Sequence, residues 1–163
     1  MSSDERQIQR LLANYVRAAD NRDSAAQAAH FAPGAITEMF SRVDGVQTLV
    51  NRLTSPEEVA WATEKVLAPH PAGGRSHHTT SDHIIDVSGD EGHISAQFIV
   101  FETVAATSPE DGWPVGVRGV QGTVRPSESG FYESDVRRID GEWRIVHHRI
   151  ILDMPFALPV ATR

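Results

Sequence analysis

Tyr15 and Asp20 fall at the end of a predicted first helix, and His78 falls at the start of a strand much later in the chain. The C-terminal segment GFYESDVRRIDGEWRIVHHRIIL (130–152) adds Tyr132, His147 and Arg149. A carboxylate, an imidazole, a phenol and a guanidinium gathered in one small pocket are the groups that acid/base catalysis without a cofactor needs. Asp140-Gly141 tolerates the positive φ angles of a tight type I′ turn, so it fixes the register of the last two strands.

The elements that must position these groups follow from periodicity. Ser3 and Asp4 are plausible N-caps, and Ile8, Leu11, Leu12, Tyr15, Val16 and Ala19 make one helical stripe. Residues 23–31 read as a second, Ala-rich helix ended by Pro33-Gly34, and 35–40 as a short strand. Val46, Leu49, Val50 and Leu53 fall at helical spacing. Ser55-Pro56-Glu57-Glu58 is a strong helix start with a capping box, and that helix carries Trp61 to about Leu67. Residues 68–76 form a loop of turn residues. Strands are expected at 77–87 and 93–104, with Ile94, Ala96, Phe98, Val100 and Glu102 on one face. Residues 105–130 read as a Pro/Gly-rich excursion holding a short strand near 115–124, before strands at 131–139 and 142–152. Tyr132, Ser134 and Val136 should point inward. Helices followed by antiparallel strands predict an α+β fold, a curved sheet wrapped around N-terminal helices, in a single domain spanning 1–163. The concave face of such a sheet makes a blind apolar pocket.

Composition excludes several classes. The 163 residues carry 15 basic and 22 acidic side chains, for a net charge of −7, and Lys65 is the only lysine. Nucleic acid is therefore not an expected partner, since phosphate contacts need clustered Lys and Arg. The absence of cysteine removes disulfides, thiolate nucleophiles and Cys-based zinc sites. Eight histidines invite a metal reading, but the two HH pairs point to opposite strand faces and no HExxH occurs, so no metal is expected. PAGGRS lacks the context of a phosphate loop, and no nucleophile elbow anchors a serine triad. No apolar run approaches a membrane span, and the polar N-terminus predicts no signal peptide, hence a cytoplasmic protein.

The order of elements, with LLANYVRAADNRD, HHTTSDHIIDVSGDEG and the final GFY…RIDGEWRIVHHR, resembles the SnoaL-like branch of the nuclear transport factor 2-like superfamily. The resemblance covers essentially the whole chain and implies a cone-like α+β barrel. It also implies a range of functions. The enzymatic relatives are ketosteroid isomerase, scytalone dehydratase, bile-acid dehydratase, lindane dehydrochlorinase and polyketide cyclases. The non-enzymatic ones are transport factors and small subunits of ring-hydroxylating dioxygenases. Fold alone does not choose among them. By this resemblance Asp20 and His78 occupy the dehydrochlorinase's Asp–His dyad, and Tyr15 with Asp20 looks like the Tyr/Asp pair of bile-acid dehydratase. Tyr15 also stands where ketosteroid isomerase has its oxyanion-hole tyrosine. Met39, beside Glu38, replaces that isomerase's base, and Tyr132 its second oxyanion donor. Dehydratase-like β-elimination therefore fits better than ketosteroid isomerisation.

The resemblance thus implies a lyase or isomerase without a cofactor, acting on a small, mainly apolar cyclic or polyketide-like molecule. His78, oriented by Asp20, would abstract a proton, and Tyr15 or Tyr132 would donate to the developing oxyanion. Phe98, Glu102, His147 and Arg149 are candidate substrate contacts, and Trp61 a candidate roof. Whether His147 and Arg149 line the pocket or a subunit interface is open, as is whether His77 or His78 faces inward. The alternatives are a non-catalytic binding or partner-subunit module and an epoxide-hydrolase-type enzyme, which needs an Asp-Arg-Asp set. Ile99 and Phe101, opposite the core face, predict a homodimer or homotrimer. The tail DMPFALPVATR, broken by Pro155 and Pro159, is expected to cover a pocket mouth or a neighbour.

Overall fold

A computed structural model describes residues 2–156. Three helices, α1 (Ser3–Asp20), α2 (Ser24–Ala28) and α3 (Pro56–Lys65), accompany six strands. The strands are β1 (Phe31–Val43), β2 (Val46–Leu53), β3 (Gly74–Ser88), β4 (Glu91–Ala105), β5 (Gly122–Ile139) and β6 (Glu142–Leu152). They form one sheet in the order β2-β1-β6-β5-β4-β3, antiparallel except for the β1–β6 pair. The sheet curls around α1, which touches β3, β4 and β6. It does not close on itself, so the α+β class holds and the cone is open rather than a complete barrel.

The stripe expected on α1 is the one that is buried: Ile8, Leu11, Leu12, Tyr15, Val16 and Ala19 pack into the sheet. Its cap lies one residue earlier than expected. Ser2 Oγ accepts from the Glu5 amide at 3.2 Å, and Glu5 returns a bond to the Ser2 amide at 2.9 Å, a full capping box. In α3, Ser55 accepts from the Glu58 amide at 3.2 Å, as expected, but the Glu58 carboxylate reaches past the cap to the amide of Thr54. The opposing core surface comes from alternate residues of β4 and β5, with Ile94, Ala96, Phe98, Val100, Tyr132, Ser134 and Val136 all buried.

Residues 46–53 are a strand, not a helix. Asp44 and Gly45 have φ of 51° and 78°, which makes the tight turn of a β1–β2 hairpin, and Val46 and Leu49 are exposed on its edge strand. Helical spacing of apolar residues carries no weight where that stripe has no core to face. The second helix ends at Ala28 rather than 31. Pro33-Gly34 does not terminate it but lies within β1, where the pairing with β6 slips between Phe31 and Ile36. A proline is tolerated at such a slip because no ladder hydrogen bond is asked of it. The excursion is shorter than expected and holds no separate strand near 115–124, since β5 already starts at Gly122.

Among the described residues no helix is long and apolar enough to cross a membrane. Of the tail, Pro155 is exposed and Phe156 packs toward the core, whereas Pro159 lies outside the described residues.

Candidate active site

A cavity of about 710 Å³ opens between α1, α3, the 66–73 loop and the concave face of the sheet. Asp20 reaches this region because α1 ends there. His78 reaches it because β3 alternates, placing Ser76 and His78 inward and His77 outward. His78, not His77, lines the cavity.

The two side chains meet. His78 Nδ1 lies 2.6 Å from Asp20 Oδ1, and the His78 amide donates to Asp20 Oδ2 at 2.9 Å. Ser76 donates to Oδ1 at 3.1 Å. Ionised Asp20 can only accept, so Nδ1 carries a proton and the neutral ring keeps its lone pair on Nε2. Burial alone would raise the Asp20 pKa, but the bonds from the His78 side chain and amide and from Ser76 outweigh it and hold the carboxyl below its usual value. The side chains of His78 and Asp20 are only 16% and 13% exposed, so the pair is shielded from bulk water. Ser76 was not anticipated, although its place two residues before His78 on one strand face is a legible signal.

The phenols lie deeper. Tyr15 and Tyr132 are 4% and 3% exposed and meet edge to face, centroids 6.1 Å apart, both on the cavity wall. Burial raises the pKa of both, well above the usual tyrosine value for Tyr132, so both stay protonated and can only donate or accept as neutral hydroxyls. Phe98 stacks on Tyr132 at 4.3 Å and lines the cavity. Glu102 also lines it, near the end of the inner strand β4, with its carboxylate bound by Arg125 at 2.7 Å.

Three expected contacts are placed elsewhere. Trp61 is 57% exposed and does not line the cavity; α3 turns Val59, Ala62 and Thr63 toward it instead, followed by Val66 at its C-cap. His147 and Arg149 also lie off the cavity. Asp135 pairs with His147 and Val136 with Ile145, leaving Val146 as an extra residue in β6. The extra residue reverses the inward set. Trp143 and Ile145 face the core before it, and His148, Ile150 and Leu152 after it. His147 therefore bonds Glu38 at 2.8 Å on the outer face.

His148, which sequence reasoning passed over, is wholly buried. Its Nδ1 lies 2.7 Å from Ser134 Oγ, and its ring stacks on Tyr132 at 5.3 Å and meets Tyr15 edge-on at 4.7 Å. Burial, aided by His147, pushes its pKa down to about 3, so the ring is neutral. Arg22, His70 and Glu128 are further unanticipated lining residues. Among the described residues no cluster of three His, Asp or Glu side chains is placed to hold a metal ion.

No curated protein matches the chain. Solved structures do. A protein of unknown function with a cystatin-like fold from Nostoc punctiforme is 20% identical, with a TM-score of 0.65, over 95% of this chain and 96% of that one. A protein assigned as the β subunit of an aromatic-ring-hydroxylating dioxygenase from Novosphingobium aromaticivorans is 18% identical, with a TM-score of 0.67, over 94% and 91%. A ketosteroid isomerase-like protein from Erwinia carotovora is 13% identical, with a TM-score of 0.57, over 95% and 100%. At these identities the likeness is one of fold. The sequence profile of the SnoaL-like domain matches residues 1–149, so the chain belongs to the SnoaL-like domain family.

Proposed function

We propose that this protein is a cofactor-independent lyase or isomerase acting on a small, mainly apolar cyclic or polyketide-like molecule, with His78 as general base. The reading is carried by the 2.6 Å bond to Asp20 from Nδ1 of His78, which lines the cavity as Asp20 does not. It leaves Nε2 as the basic atom of the ring. Nε2 takes a proton from a carbon next to a carbonyl, and the imidazolium that forms is stabilised by Asp20. Tyr132, protonated at every working pH, donates a hydrogen bond to the developing enolate oxygen, a contact worth about 3–4 kcal/mol in comparable sites. Return of the proton to a departing β-hydroxyl completes an elimination; its return to another carbon completes an isomerisation. The cavity volume suits a ring compound of modest size. The likeness to a ketosteroid isomerase-like protein is consistent with proton-transfer chemistry in this fold. The test is incorporation of solvent deuterium into cyclic ketones and β-hydroxyketones, followed by mass spectrometry. No exchange with any of them would sink the assignment.

A second reading has its own support. The 106–121 loop leaves Val115 and Val120 fully exposed and Trp113 half-exposed, and Ile99 is 44% exposed on the outer sheet face. Such surfaces suit a partner subunit, the role assigned to the Novosphingobium β subunit, or a homodimer or homotrimer of this chain. Light scattering of the purified protein separates these assemblies from a monomer.

A further inference from the structure

The register of β3, β4 and β5 puts His78, Val100 and Glu128 on one rung, since His78 pairs with Val100 and Val100 with Glu128. All three line the cavity. Two strand spacings set the Cα atoms of His78 and Glu128 roughly 10 Å apart, with Val100 as an apolar floor between them. A flat ring lying on Val100 would therefore have the imidazole at one side and the carboxylate at the other.

Glu128 differs from the other carboxylates of this region. Asp20 is held by His78 and Ser76, Glu102 by Arg125, Glu38 by His147, and Glu133 by His93 and Ser95. Glu128 has no hydrogen bond or ion pair among the described residues. Arg22, also on the cavity wall, is near enough to feel its charge. Two of the five N–H donors of Arg22 go to the carbonyls of Ala19 and Ala68, at 3.3 and 2.9 Å, and none goes to Glu128. Arg22 thus offsets the charge of Glu128 without occupying its oxygens. The result is an exposed carboxylate on the wall of a mainly apolar cavity, with its acceptor capacity unused by protein groups, beside a cation that disfavours a second one.

We propose that Glu128 is the polar anchor of the ligand, accepting a hydrogen bond from a neutral hydroxyl on an otherwise apolar ring whose far side lies against His78. This narrows the substrate class to hydroxylated rings and excludes carboxylated ones from that position. It rests on the cavity being the ligand site, not on the chemistry of the dyad.

Titration of the protein with 2-naphthol, naphthalene and 2-naphthoate, followed by two-dimensional NMR, tests it through binding alone. The wild-type protein should bind 2-naphthol about tenfold more tightly than naphthalene, the scale of one hydrogen bond to a charged acceptor. Glu128→Gln and Glu128→Ala should each erase most of that preference, leave naphthalene within about twofold, and improve binding of 2-naphthoate by relieving like-charge repulsion. An unchanged preference in both variants would overturn the anchor while leaving the dyad reading intact. A preference lost in Asp20→Asn but kept in both Glu128 variants would place the hydroxyl on the dyad and overturn it as well. Failure of all three probes to bind the wild-type cavity would remove the ligand site itself, and both proposals with it.

Discussion

Replacing Asp20 by asparagine should reverse the tautomer of His78. In the wild-type chain one carboxylate oxygen accepts from the His78 amide at 2.9 Å, and the other from both Nδ1 and Ser76. Asparagine offers only one accepting oxygen. The backbone amide has no second donor position and cannot rotate away, so the Asn oxygen stays with it. The Asn NH₂ then faces Nδ1, which must become an acceptor, and the ring proton moves to Nε2. A base with its lone pair on the wrong nitrogen cannot take a proton from the cavity. Proton-transfer rates should fall roughly 10³–10⁴-fold, the scale known for the same exchange behind a catalytic histidine. Stability should change far less. All three charge-assisted bonds are lost or weakened and two neutral ones take their place, a net cost of about 2 kcal/mol. Long-range ¹H–¹⁵N correlation spectra report the tautomer without any substrate, and deuterium incorporation reports the rate. A wild-type ring protonated on Nε2, or a variant exchanging within about tenfold of wild type, would refute the assignment of His78 as an oriented base. The stability of the variant should also change less with pH in the acid range than that of wild type. The folded chain holds the Asp20 carboxyl below its usual value, so the unfolded chain takes up the proton first. That stabilisation is complete above about pH 4 and is lost as pH falls through the folded pKa; asparagine removes it.

Other positions give independent checks. His148 resists protonation when folded, with a pKa near 3, while the unfolded chain binds its proton near 6.5. Its contribution is complete above pH 6.5 and falls with acidification by about 2 kcal/mol at pH 5, so thermal midpoints should drop over that window and drop less in His148→Gln. Gly130→Ala should be severely destabilising, by about 3 kcal/mol or more in urea titrations, because its Cβ would lie 1.9 Å from the Ile151 carbonyl oxygen, a backbone atom in the sheet interior. Trp61→Ala should leave both naphthalene binding and proton-transfer rate unchanged, since the indole faces solvent away from the cavity.

Local chemistry carried much of the architecture in readable form. The stripe of α1, the Ser55-Pro56 start of α3, the Asp140-Gly141 turn and the alternation of β4 each depend on residues within a few positions of one another. Their periods and caps are therefore set by the chain itself. The inward direction of His78 was legible only as one of two choices, since HH gives both faces of a strand. Residues 46–53 misled because their apolar spacing fits a helix, while the Asp44-Gly45 turn before them dictates a hairpin.

What the sequence determined by itself was the set of reactive groups and the faces of the regular elements that carry most of them: Tyr15 and Asp20 on α1, Phe98 on β4, Tyr132 on β5. What tertiary structure alone decided was which of the groups meet. The extra residue at Val146 moved His147 and Arg149 to the outer face and buried His148. The pairing of three strands put Glu128 level with His78. Both depend on register between strands distant along the chain. Register is a balance of many small cross-strand contacts, and a slip of one residue exchanges inside for outside without changing any local pattern.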